Sequence, residues 1–187
     1  MPYPSQVNQE QIIQVAREKI KKDGVEKLSL AKLAADLGVR APSLYRYFKN
    51  KEALLQAVNL QTTREMFAAM EGGRLSSDLP DARLTRVAEA IRDFAHQNSQ
   101  LYTMAMTAEV GVTRPDEESL IRMVLPLQNI MAELCGQAQS LTAIRGLFAL
   151  VHGFIMLELH GQLQRGGDLH QAFQDAVAAY LHGWRTK

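Results

Sequence analysis

One cysteine, one tryptophan and an aromatic share of 6% leave this chain poor in the residues that build disulfide frameworks and stacked aromatic platforms. The lone thiol, Cys135, excludes an intramolecular disulfide and any zinc site made of several cysteines. It fits a reducing compartment, so a cytoplasmic location is expected. The opening MPYPSQVNQE has no basic region followed by an apolar run and does not read as a signal peptide. The most apolar stretch, residues 147–157, is short for a bilayer and is flanked by Arg145 and Glu158, so it reads as buried helix and no membrane partner is expected. His96, His152, His160, His170 and His182 form no HxxxH, HExxH or Cys/His pattern, and no phosphate-cradling glycine loop occurs. Neither an enzyme nor a cofactor nor a metal is expected. Strand-like alternation is absent too, as are repeats and low-complexity tracts.

What is present is helical pattern and a divided charge. With 187 residues and 47% hydrophobic content the chain can bury a real core. The formal net charge of +1 splits into ten Lys/Arg against six Asp/Glu up to position 60, then eleven against fourteen, or +4 and −3. A basic N-terminal module on a mildly acidic body suits binding to an anionic polymer, because phosphate contacts supply most nonspecific affinity.

Asn8 and Gln11 form a capping-box pair, after which Ile12, Ile13, Ala16 and Ile20 share one helical face until Gly24. Ser29 caps a second helix with Leu30, Leu33, Ala34 and Leu37 inward, closed by Gly38. Pro42 stands where a first turn tolerates it, and Leu44, Tyr47 and Phe48 give the inward face of a short third helix. Further helices are predicted at 51–70, 82–98, 100–109, 119–139, 142–164 and 169–185, with a loop over 72–81 and a kink at Pro126. The fold class is all-α with about nine helices: a three-helix N-terminal domain over 1–55 and a helical C-terminal domain over 56–187.

Residues 30–51, LAKLAADLGVRAPSLYRYFKNK, place a small residue, a left-handed turn and a buried anchor where two crossing helices need them: Ala34, Gly38 and Leu44. This is a helix-turn-helix, and its second helix turns a basic and aromatic side outward. Arg46 can bond guanine O6 and N7 together, or clamp a phosphate. Ala41 and Pro42 can rest on thymine methyls, while Ser43, Tyr45, Tyr47 and Lys51 suit phosphates, with Ser29 and Lys32 reaching the backbone from the first helix.

Residues 24–58, GVEKLSLAKLAADLGVRAPSLYRYFKNKEALLQAV, resemble the DNA-binding domain of TetR-type transcriptional regulators: the GV turn, the LY pair, the aromatic run and the Lys-Asn-Lys-Glu step all match. Arg40 stands where many members have a capping serine, which weakens the cap and adds a cation that could itself meet DNA. Further on, NSQLYTMAM at 98–106 looks like the family's Pro-x-Leu-Tyr-x-x-Met piece without its proline. FALVHGFIMLELHG at 148–161 resembles the subgroup named for a Trp-His-Gly signature, with Phe148 in the aromatic place.

The resemblance implies double-stranded DNA with a palindromic operator as partner, a homodimer, and release by a small, largely apolar effector held by the C-terminal helices. Candidate lining residues are His96, Tyr102, Met104, Met106, Met123, Met131, His152 and Met156, each of which plain core packing would also explain. An activator, or a regulator without an effector, is the alternative. The last two helices suit a four-helix dimer interface, since Ile144, Leu147, Phe148, Val151, Ile155 and Leu159 cover one broad face and Phe173, Val177, Tyr180, Leu181 and Trp184 another.

Overall fold

The computed structural model describes residues 7–75, 78–106 and 117–185. Among them are ten α-helices, one 3-10 turn and no strand. The chain divides into two compact units, the first running to Arg64 and taking in the segment that starts at Asn98, the second holding Glu65–Gln97 and the C-terminal helices.

In the first unit lie α1 (Gln9–Asp23), the 3-10 turn Val25–Lys27, α2 (Leu30–Asp36), α3 (Ala41–Tyr45), the first part of α4 (Lys51–Ala69) and α7 (Ser99–Met106). The capping box forms as the sequence predicts: Gln11 N–H donates to Asn8 Oδ1 at 2.8 Å and Asn8 N–H to Gln11 Oε1 at 3.1 Å. Ile12, Ala16 and Ile20, four residues apart, are fully buried. They pack in one core with Leu33, Leu44, Leu54 and Val58, and Leu101 and Met104 of α7 join that core. Burying an Ile or Leu side chain contributes about 1.5–3 kcal/mol, so this stripe is what holds α1 in place. The predicted helix 100–109 is α7 as far as Met106, and its last turn lies outside the described residues.

The second unit holds α5 (Glu71–Arg74), α6 (Pro80–Gln97), α8 (Glu117–Cys135), α9 (Gln137–Leu159) and α10 (Leu169–Trp184). Helix α5 is the one beyond the expected nine, and it occupies the start of the predicted loop. It crosses α6 closely: a Cβ on Gly73 would meet Arg86 Cβ and the Val87 nitrogen, both at 2.9 Å.

Two boundaries differ from expectation. The predicted break between 139 and 142 falls instead at Gly136, whose φ of 81° is a left-handed value that a side chain would strain. The apolar period on both sides had hidden that glycine. Helix α9 ends at Leu159 rather than 164, because Gly161 at φ 64° closes it, with Gly161 N–H donating to Glu158 O at 3.0 Å and Gln162 N–H to Leu157 O at 2.8 Å. The helix passes through Pro126 in α8 without ending.

The 147–157 run is part of a longer helix than its apolar core suggests. Helix α9 spans 23 residues with a window of mean hydropathy 1.6, long and apolar enough by length and composition to cross a membrane. One side of it packs inside the unit through Ala143, Ile144, Leu147, Val151 and Ile155. Against α10 the approach is close: Tyr180 Oη donates to Ala143 O at 2.8 Å, and a Cβ on Gly146 would overlap the same hydroxyl.

A buried ion pair ties three of these helices. Arg92 of α6 donates through Nε (2.9 Å) and Nη2 (2.5 Å) to the Glu158 carboxylate of α9, and His96 Nε2 lies 3.0 Å from the same carboxylate. The guanidinium also stands 5.5 Å over the Phe173 ring of α10. The hydrogen-bonded guanidinium holds the Glu158 carboxyl below the usual carboxylate range against the opposing effect of burial.

Candidate nucleic-acid interface

Local chemistry sets the helix-turn-helix. Ser29 caps α2, its Oγ accepting from Lys32 N–H at 3.3 Å. The helix closes in a Schellman motif: Val39 N–H donates to Ala34 O at 3.0 Å and Gly38 N–H to Ala35 O at 3.1 Å, with Gly38 at φ 67°. Ala34 is 2% exposed, so α3 can cross against it, and Leu44 is fully buried beneath. Arg40 occupies the α3 N-cap without a side-chain cap bond, as its replacement of a capping serine implies.

Outward lie Pro42, Tyr45, Arg46, Tyr47 and Lys49, all exposed, with Ala41 and Ser43 half-buried beside them. Lys32 and Arg40 are exposed on the α2 side of the turn. Lys51 is half-buried at the first position of α4, a placement fixed by Asn50, whose Oδ1 accepts from Ala53 N–H at 2.9 Å. That cap was missed in the sequence, although an Asn three residues before a helical Ala is a start signal. Among the described residues none of Lys32, Arg40, Arg46, Lys49 and Lys51 pairs with a carboxylate, whereas Lys19 of α1 is held by Asp36 at 2.5 Å. Five cations without carboxylate partners around a protruding helix make a surface suited to phosphates and base edges.

Tyr47 has a second engagement. Its hydroxyl donates to Val7 O at 2.6 Å, so the proton a phosphate would accept already serves the start of the described chain.

The family profile "Bacterial regulatory proteins, tetR family" matches residues 12–58, spanning α1 to the first part of α4. A second, "Tetracyclin repressor-like, C-terminal domain", matches 84–180, more than half of the chain. The chain belongs to the TetR family. A transcriptional regulator of Bacillus subtilis, YobS, is 27% identical over 180 residues, 95% of this chain and 92% of the relative. The class D tetracycline repressor of Escherichia coli is 31% identical over 120 residues, 61% of this chain and 49% of that protein. Among solved structures, a TetR variant from Acinetobacter baumannii in complex with minocycline superposes with a TM-score of 0.71 at 22% identity, covering 97% of this chain and 99% of that one. A protein from Rhodococcus superposes with a TM-score of 0.78 at 21% identity, covering 99% and 100%. This TetR-family chain is therefore a DNA-binding transcriptional regulator, not an enzyme.

The eight residues expected to line an effector site are spread over both units. Tyr102, Met104 and Met106 belong to the first, where Tyr102 (1% exposed) and Met104 (7%) are buried and Met106 is half-buried. His96, Met123, Met131, His152 and Met156 belong to the second. Met131 is fully buried there, Met123, His152 and Met156 are half-buried, and His96 is exposed on one side and held to Glu158 on the other. Burial lowers the His152 pKa, favouring the neutral ring that can both donate and accept, and raises that of Tyr102.

Proposed function

We propose that this regulator acts as a repressor: a homodimer on a palindromic operator in the cytoplasm, released by a small, largely apolar effector. Residues 1–55 read DNA, and 56–187 hold the effector and the dimer interface. The observation that carries the dimer is α9. Of its apolar 18-residue window only 33% is buried within the chain, and Leu141 (43% exposed) and Leu157 (41%) stand open on the two flanks of its buried stripe. A second copy of the same helix, with the outer side of α10 and its Tyr180 and Trp184 rings 6.3 Å apart, would bury this surface about a two-fold axis. One α3 of five helical residues reads few bases, and pairing supplies the second half-site one helical turn away. The run from Phe148 through His152-Gly153 supports placing the C-terminal domain in the Trp-His-Gly subgroup.

Ligand control follows from the DNA and effector sites biasing one arrangement of the dimer, since an effector moves operator affinity only by its differential binding to the two arrangements. DNA selection from random duplexes, then anisotropy titration with compounds, tests it. Two inverted half-sites, and loss of operator binding at saturating compound, are the expected results. A single unpaired half-site removes the palindromic dimer, and activation of a reporter on operator binding removes repression. For the interface, sedimentation should give twice the 20.9 kDa chain mass, and Leu157→Glu should give monomers that bind operator at least about a hundredfold more weakly.

A further inference from the structure

Asn59 breaks the pattern of the helix that carries it. The buried face of α4 is apolar at Leu54, Leu55 and Val58, turns polar for one turn at Asn59, Thr62 and Thr63, and is apolar again at Met66. The threonine beside it is engaged: Thr62 Oγ1 donates to Val58 O at 2.9 Å and accepts from the buried Arg17 guanidinium of α1 at 3.0 Å. Asn59 is not. It is 1% exposed, and among the described residues its Nδ2 and Oδ1 are the buried side-chain atoms with no hydrogen-bond partner. A side-chain amide withdrawn from water with both ends unanswered is destabilising, and a leucine, with the same four heavy atoms branched at the same carbon, would occupy the place with no polar group to leave unanswered.

We infer that Asn59 is the polar anchor of the effector site, and that it takes a ligand presenting a hydrogen-bond donor and acceptor side by side: the edge of a primary amide, lactam or imide on an apolar body. This rests on the effector role proposed above. An asparagine amide offers two N–H donors and an oxygen with two lone pairs. A second amide edge answers both at once through paired N–H···O bonds. A carboxylate brings acceptors only and would leave Oδ1 orphaned.

The test is calorimetric titration and thermal shift on the full chain with three probes of equal chain length: octanamide, N,N-dimethyloctanamide, which has the carbonyl but no N–H, and octanoate. Wild type should bind octanamide saturably and the other two about tenfold or more weaker, since a site built around hydrogen bonds rejects analogues that lack them. Asn59→Leu should lose that preference while unfolding at no lower temperature than wild type. Equal affinity for octanamide and its dimethyl form, retention of the preference in Asn59→Leu, or no saturable octanamide binding overturns the inference. Should Asn59→Leu fail to fold, the wild-type comparison of probes decides alone. Octanamide binding through Asn59 without change in DNA affinity leaves the anchor standing and removes the effector role. A compound that releases DNA equally from wild type and Asn59→Leu does the reverse.

Discussion

Replacing Glu158 by glutamine keeps the shape of the side chain and removes the charge that Arg92 and His96 share. The carboxylate is 8% exposed and the Arg92 side chain 13%, so the pair lies largely out of water. Breaking a buried pair by neutralising one partner costs about 3–5 kcal/mol, because the other charge stays behind uncompensated. Three features reduce that here. Glutamine keeps one oxygen for Arg92, the guanidinium still faces the Phe173 ring at 5.5 Å, and its Nη1 lies 3.2 Å from His170 Nδ1. A loss of about 2 kcal/mol remains, or about 4–8 °C in Tm for a chain of this length. The pH dependence gives a sharper check. A carboxyl whose folded pKa is depressed contributes stability that is fully present above its unfolded pKa and is lost as pH falls through the folded value. The gap between wild type and Glu158→Gln should hold near neutrality, begin to narrow below about pH 4, where the unfolded chain's carboxyl takes up its proton, and close only once pH has fallen through the depressed folded value. Urea unfolding followed by circular dichroism at both pH values measures it. A neutral-pH difference under about 0.5 kcal/mol, or a gap that persists in acid, refutes the assignment of the charge as the tie between α6 and α9.

Gly146→Ala should destabilise the second unit by about 2 kcal/mol, since its Cβ would take the place of the Tyr180 hydroxyl and break the bond to Ala143; Gly146→Ala in a Tyr180→Phe background should cost clearly less in thermal melts. Arg46→Ala is expected to cost about 1–3 kcal/mol on the selected operator and little on scrambled duplex, whereas Lys51→Ala weakens both and lowers the salt slope by about one. Equal losses on the two duplexes for Arg46→Ala would assign it to a phosphate. Tyr47→Phe removes a 2.6 Å bond from a half-exposed ring and should cost about 1 kcal/mol of stability with DNA affinity within about threefold; a larger loss of affinity at unchanged stability would place the hydroxyl on DNA.

The helix-turn-helix was legible because its signals act within a few residues. Ser29 reaches the N–H of Lys32, the turn at Gly38 lets its own N–H answer the Ala35 carbonyl and that of Val39 the Ala34 carbonyl, and Pro42 pre-sets the first turn of α3. Gly136 carried the same kind of local signal and was still misplaced, because the apolar period runs on through α8 and α9 and outweighs one glycine when read along the chain. Arg17 and Thr62 stand 45 residues apart, and nothing near Arg17 in sequence announces that it is buried. The same holds for Arg92 and Glu158, separated by 66 residues.

The sequence by itself determined the helices, the turn geometry of the DNA-reading unit and the cations around it, since capping, glycine handedness and the 3.6-residue period are properties of short segments. Tertiary structure alone decided that Leu101 and Met104 complete the N-terminal core, that one carboxylate of α9 takes both Arg92 and His96 of α6, and that Asn59 is buried without a partner. Burial and pairing depend on which distant residues the folded chain brings within a few ångströms, and no short window of sequence contains that information.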